Sequence, residues 1–137
     1  MANRYLGLWK LIPTMCKYDV GEPPLKATYH FAPVPNQPSQ INVGINWTDK
    51  QQKDFNVNYL INLNGQKQTE NLGGKKVDVL HELTQEGRLR STTLTEEGVT
   101  LMDSYRELKE NDKVLEVIME THTPMGVQRI FQRYEKA

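Results

Sequence analysis

Apolar and polar residues alternate with a period of two through most of this chain, and that period predicts strands, whose successive side chains point to opposite faces. Leu25, Ala27, Tyr29 and Phe31 alternate with Lys26, Thr28 and His30. Ile41, Val43, Ile45 and Trp47 repeat the pattern, as do Phe55, Val57, Tyr59, Ile61 and Leu63. A first strand is expected over 5–12, ended by Pro13, and a short edge strand around Gln66 to Glu70. KVDVLHEL, RLRSTTLT, VTLMDSYREL, VLEVIMET and GVQRIFQRY complete nine or ten strands. They are separated by turn chemistry: Asn64-Gly65 of hairpin type, KEND with residues that tolerate left-handed backbone, and THTPMG. Such spacing predicts an antiparallel up-and-down sheet that closes into a barrel or folds into a sandwich to protect its edges. The rival is a helix over SYRELKENDKVLEVIMET, where Ser104 and Glu107 imitate a capping box. Against it, Leu115, Val117 and Met119 alternate with Glu116, Ile118 and Glu120, and Asn111-Asp112 interrupts a helical stripe.

Composition narrows the function classes. The 137 residues fit one domain, 1–137, and the 17 basic and 17 acidic residues balance without a like-charge block, so no nucleic-acid partner is expected. Cys16 is the only cysteine, which excludes an internal disulfide and points to a reducing, cytoplasmic setting. The opening MANRYLGLWKLIP has too short an apolar run for a signal peptide, and no segment approaches the length of a membrane span. Asn46-Trp47-Thr48 matches a glycosylation sequon, which without a secretory signal carries no weight. His30, His81 and His122 lack metal-ligand spacing, and Ser91 and Ser104 lack a nucleophile-elbow context. No catalytic residue, metal or cofactor is therefore assigned.

The oddity is arginine among apolar residues. Met102, Ser104, Arg106 and Leu108 share one strand face, and Leu115, Val117 and Met119 share the next. On the last strand Val127, Arg129, Phe131 and Arg133 share one face, with Gln128, Ile130, Gln132 and Tyr134 on the other. With the first of these sets inward, Arg106 and Arg129 approach each other inside the barrel. Two buried guanidinium groups need an anion, because an unpaired desolvated charge costs several kcal/mol. The alternative turns both outward, to pair with Asp103, Glu107 or Glu120.

Gly7-Leu8-Trp9-Lys10-Leu11 is similar to the G-x-W-K-L opening of the fatty acid-binding protein family, intracellular lipid-binding proteins of the calycin group. KVLEVIMETHTPMGVQRIF and the ending Gln128 to Ala137 resemble that family's last two strands. The resemblance covers most of the chain in layout, and its two ends are specific. It implies a ten-stranded antiparallel up-and-down β-barrel around a cavity that holds fatty acids or related amphiphiles. It also implies carboxylate binding by two arginines and a tyrosine near the C-terminus. Arg129 matches the last-strand arginine, Arg106 falls where the second is expected, and Phe131 replaces the tyrosine. Family members carry two short helices as a lid, whereas only Thr14 to Pro24 is available here. A shortened or absent lid is expected, or else a second strand that starts later.

The function expected from these residues is non-enzymatic binding and transport of a long-chain fatty acid or similar hydrophobic carboxylate. Arg106, Arg129, Phe131, Ser104, Leu115, Val117, Met119 and Tyr59 are its candidate ligand-binding residues. The protein is expected to be a monomer that contacts membranes transiently. One alternative is a haem-binding, chromophore or enzymatic barrel built on His81, which shares a strand face with Val77 and Val79. The other is a packed barrel that serves as a protein-interaction module.

Overall fold

The computed structural model describes residues 2–137, with 65% of the chain in strands. After a 3-10 turn at Ala2–Tyr5 come β1 (Gly7–Leu11), β2 (Lys17–Tyr18), β3 (Lys26–Val34), β4 (Gln37–Thr48) and β5 (Asp54–Asn62). β6 (Gln68–Leu72), β7 (Lys75–Leu83), β8 (Leu89–Thr95), β9 (Thr100–Lys109), β10 (Val114–Thr123) and β11 (Gly126–Lys136) follow. All the pairings are antiparallel, and ten strands run in the order β5-β4-β3-β1-β11-β10-β9-β8-β7-β6, with β2 beside β11. The helix weighed for residues 104–121 does not form. Glu110, Asn111 and Asp112 all take left-handed backbone, and that reversal sends β9 back as β10.

The order leaves one seam. β5 and β6 follow each other in sequence but share no ladder, so the Asn64-Gly65 turn joins two strands that diverge instead of closing a hairpin. The Gln68 side chain spans the gap: Asn62 N–H donates to its Oε1 at 3.1 Å, and its Nε2 donates to the Leu60 carbonyl at 3.1 Å. The barrel is thus closed by backbone everywhere along this path except where one amide stands in.

One end is plugged by aromatic residues. Tyr5, Trp9, Phe31 and Tyr134 are each at most 1% exposed. Trp9 Nε1 donates to the Tyr5 carbonyl, and the Tyr5 hydroxyl sits 2.6 Å from the Gly87 carbonyl and 2.8 Å from that of Arg106. Arg4 forks onto Asp112, which ties the opening turn to the β9–β10 reversal. Gly7 has φ +124°, and a Cβ there would meet the Lys136 ammonium that lies over the Trp9 ring.

Between β1 and β3 there is no α-helix. A 3-10 turn at Pro13–Met15 leads into β2, which pairs Tyr18 with Ile130 and Lys17 with Phe131, and the chain then runs through Pro23-Pro24 into β3. Two adjacent prolines and Gly21, at φ +82°, suit an irregular strap and not a helix.

Candidate functional site

The inward faces of the strands enclose a cavity of about 900 Å³. Its mouth is rimmed by the strap at Gly21–Pro24, by Asp49 to Gln51 in the β4–β5 turn and by Glu70 to Leu72 at the end of β6. Its walls are largely apolar, with Ile45, Val57, Val79, Met102 and Met119 among the lining.

Arg106 is the charge within it. Alternation along β9 sends Met102, Ser104 and Arg106 inward, and Arg106 is 4% exposed. Its Nε donates to the Tyr29 hydroxyl at 3.1 Å, one terminal nitrogen to Ser91 Oγ at 3.1 Å, and the other to the Tyr59 hydroxyl at 2.8 Å. The two phenol oxygens are 3.4 Å apart. None of the carboxylates among the described residues forms an ion pair with Arg106. A guanidinium keeps its proton at physiological pH, so a full positive charge sits in a low-dielectric hollow supported by neutral hydroxyls. Two of its five N–H groups remain beyond the three bonds described.

His81 extends the cluster. It is 5% exposed, its Nδ1 lies 2.6 Å from Ser91 Oγ, and its ring stacks on Tyr59 with centroids 6.4 Å apart. Burial, and then the nearby Arg106 charge, push its pKa down to about 4. His81 is thus neutral at pH 7. Ser91 Oγ accepts from Arg106 while its second lone pair and its proton face His81 Nδ1, linking the imidazole to the guanidinium in either neutral tautomer. Burial also raises the Tyr59 pKa, so both it and His81 are uncharged hydrogen-bonding groups around one cation.

The last strand corrects the sequence reading. Leu115, Val117 and Met119 of β10 face inward, and their partners on β11 are Tyr134, Gln132 and Ile130. The other set is outside. Arg129 forks onto Glu120 at 2.6 and 3.1 Å with its side chain 61% exposed, and it lies directly opposite that carboxylate in the ladder. Phe131 lies opposite Ile118 on the same outer face, and Arg133 meets Glu116 and Glu110. Arg129 and Phe131 therefore do not join Arg106. The outward alternative describes Arg129, and the inward one describes Arg106.

Of the other candidates, Tyr59, Ser104 and Met119 line the cavity. Leu115 and Val117 are buried at 0% and 1% in the packed core beneath it. Tyr29, Ser91, Gln132 and Tyr134 were missed. The β10 pattern carried the signal for the last two: Glu116 and Glu120 mark its outer face, and a tight turn at Thr123–Gly126 fixes which residues of β11 lie opposite.

Comparison with solved structures adds the fold. As-p18, an extracellular fatty acid-binding protein, superposes with a TM-score of 0.61 at 14% identity, covering 98% of this chain and 97% of that one. The Schistosoma mansoni fatty acid-binding protein in complex with arachidonic acid gives 0.60 at 13% identity, over 98% and 97%. The zebrafish ileal bile acid-binding protein complexed with cholic acid gives 0.58 at 11% identity, over 98% and 100%. This chain has their fold. No family model and no curated protein sequence matches it. The likeness is one of fold, at 11–14% sequence identity.

Proposed function

We propose that this protein is a non-enzymatic carrier of a long-chain hydrophobic carboxylate. The observation that carries the reading is Arg106: a buried cation at the wall of an apolar cavity, bonded to hydroxyls and to no carboxylate of the described chain. Such a group gains most from an incoming anion, which takes the remaining N–H donors in charge-assisted bonds. The apolar walls supply the affinity. About fifteen buried methylenes contribute roughly 12 kcal/mol in gross terms, against association costs of about 4–15 kcal/mol. That difference is compatible with micromolar binding or better, with Arg106 setting orientation and selecting acids over alcohols.

The solved structures support this class of ligand, because two of them are fatty acid-binding proteins and one holds cholic acid. A carrier with a free, half-buried Cys16 suits the cytoplasm, where it works as a monomer that meets membranes transiently. A second reading, a tetrapyrrole or chromophore site, draws on His81 in the cavity. A packed interaction module does not accord with a hollow of about 900 Å³.

Displacement of a fluorescent fatty acid by unlabelled palmitate is the test, with mass spectrometry of whatever co-purifies. Competition by palmitate about thirty-fold stronger than by hexadecanol is expected, the equivalent of about 2 kcal/mol from the charged contact. Absence of fatty acid binding, or a bound coloured species, overturns the reading.

A further inference from the structure

The outer face of β3, β4 and β5 differs from the rest of the barrel's surface. Alternation turns Tyr29, Val43 and Tyr59 inward, so Thr28, His30, Asn42, Asn46, Asn56 and Asn58 point out. None of these is Lys, Arg, Asp or Glu, whereas the outer wall of β8–β11 is laced with ion pairs. Asparagine is depleted in strands, because its amide competes for backbone groups, and four of them on two neighbouring strands do little for the fold.

Gly44 lies in their midst, paired with His30 on one side and Asn58 on the other. The register runs unbroken through all three residues, so no bulge accounts for the glycine, and its backbone is not left-handed. Glycine inside a strand also marks a place where a ligand approaches the backbone closely. The missing side chain leaves a depression of about 310 Å³ floored by Gly44, with His30, Ala32, Asn42 and Asn58 around it. That volume lies at the small end of ligand pockets, about 300–1,000 Å³. Asn58 Nδ2 donates to Asn56 Oδ1, and Asn56 Nδ2 donates to Asn46 Oδ1, each at 2.6 Å. This relay holds Asn58 with its Oδ1 over Gly44, 3.1 Å from where a Cβ would stand. Asn42 and His30 bring an amide and an imidazole that enter neither bond.

An anion finds no Lys or Arg in this lining, a cation finds no carboxylate, and an acyl chain finds little apolar surface beyond Ala32 and the Gly44 backbone. A small ring of hydroxyls suits it, since each hydroxyl both donates and accepts and the C–H edges rest on the glycine floor. We propose that this depression is a binding site for a neutral pyranose sugar unit. It lies across the sheet from the cavity, so it stands or falls apart from the carrier reading.

The experiment is an amide NMR titration of the whole chain with the methyl glycosides of glucose, galactose and mannose, with glucuronate and cyclohexanol as charged and apolar comparisons. Saturation by at least one glycoside is expected, with a dissociation constant of about 1–10 mM and shifts centred on His30, Gly44 and Asn58. Both comparison compounds should bind at least about ten-fold more weakly. Gly44→Val fills the depression and should abolish the shifts, while Asn42→Ala should weaken binding about five-fold, the effect of one net hydrogen bond. The dispersed amide spectrum reports the fold of each variant, and Asn42→Ala decides the matter should Gly44→Val fail to fold. Lack of saturation by all three sugars, equal response to either comparison compound, or unchanged affinity in Asn42→Ala overturns the site.

Discussion

The inner and outer faces of the β8–β11 wall hold arginines in opposite ways. Outside, Arg90 meets Asp103, Arg129 meets Glu120, and Arg133 meets Glu116 and Glu110. Inside, Arg106 meets two phenols and a serine. An exposed ion pair gains little because water already solvates both partners, so the outer set is a matter of cross-strand complementarity. A desolvated cation has far more to gain from an anion, and the chain withholds one. Local compensation therefore marks the structural arginines, and its lack marks the one available to a ligand.

That contrast can be broken most forcefully with pH. His81 titrates near 4 in the fold and near 6.5 in an unfolded chain, so the unfolded state binds more protons between these values. Stability is then full above about pH 6.5 and falls as pH drops toward 4, by about 3 kcal/mol from this residue. Urea melts of the unaltered protein and of His81→Asn across that window should show the slope in the former and a shallower one in the latter. Equal slopes would mean that the cluster around Arg106 is wetter than described.

The next effect is on binding. Arg106→Gln is expected to weaken fatty acid affinity by about 2 kcal/mol, the range for a hydrogen bond to a charged group, and to leave long-chain alcohols almost unchanged. Equal losses for both would indicate damage to the fold. Because a buried charge without a counter-ion is itself a burden, Arg106→Met should also leave the ligand-free barrel no less stable, as thermal melting would reveal.

Smaller effects should come from outside. Arg133→Gln removes two carboxylate contacts from a side chain 23% exposed, and a loss of about 1 kcal/mol in stability is expected, with acid binding intact. Arg129→Gln should be the mildest, within about 0.5 kcal/mol in stability and without effect on palmitate displacement. A binding defect in Arg129→Gln would restore the sequence-based pairing of Arg129 with Arg106.

The strands were legible because a half-buried sheet imposes period two, and the alternation of Ile41, Val43, Ile45 and Trp47 admits few other readings. The inner face of β11 was harder. Val127 and Phe131 on one side balance Ile130 and Tyr134 on the other, so hydrophobicity alone does not choose. Register chooses: Arg129 and Gln132 are three positions apart, and an odd offset turns a side chain to the opposite face. The Tyr29–Ser91–His81 surround of Arg106 draws on β3, β8 and β7, and proximity of that kind has no local signature in the sequence. Likewise β2, two residues long, is too short to show a period.

The Gln68 bridge bears on how such a container takes its load. Ladders elsewhere hold neighbouring strands at a fixed spacing, so widening the vessel there would break many bonds at once. Between β5 and β6 the tie is two bonds from a single flexible side chain. Breaking those two bonds would part β5 from β6 while leaving every backbone ladder in place, so under the proposed carrier role the girth could change with the bulk of the ligand and the topology would not.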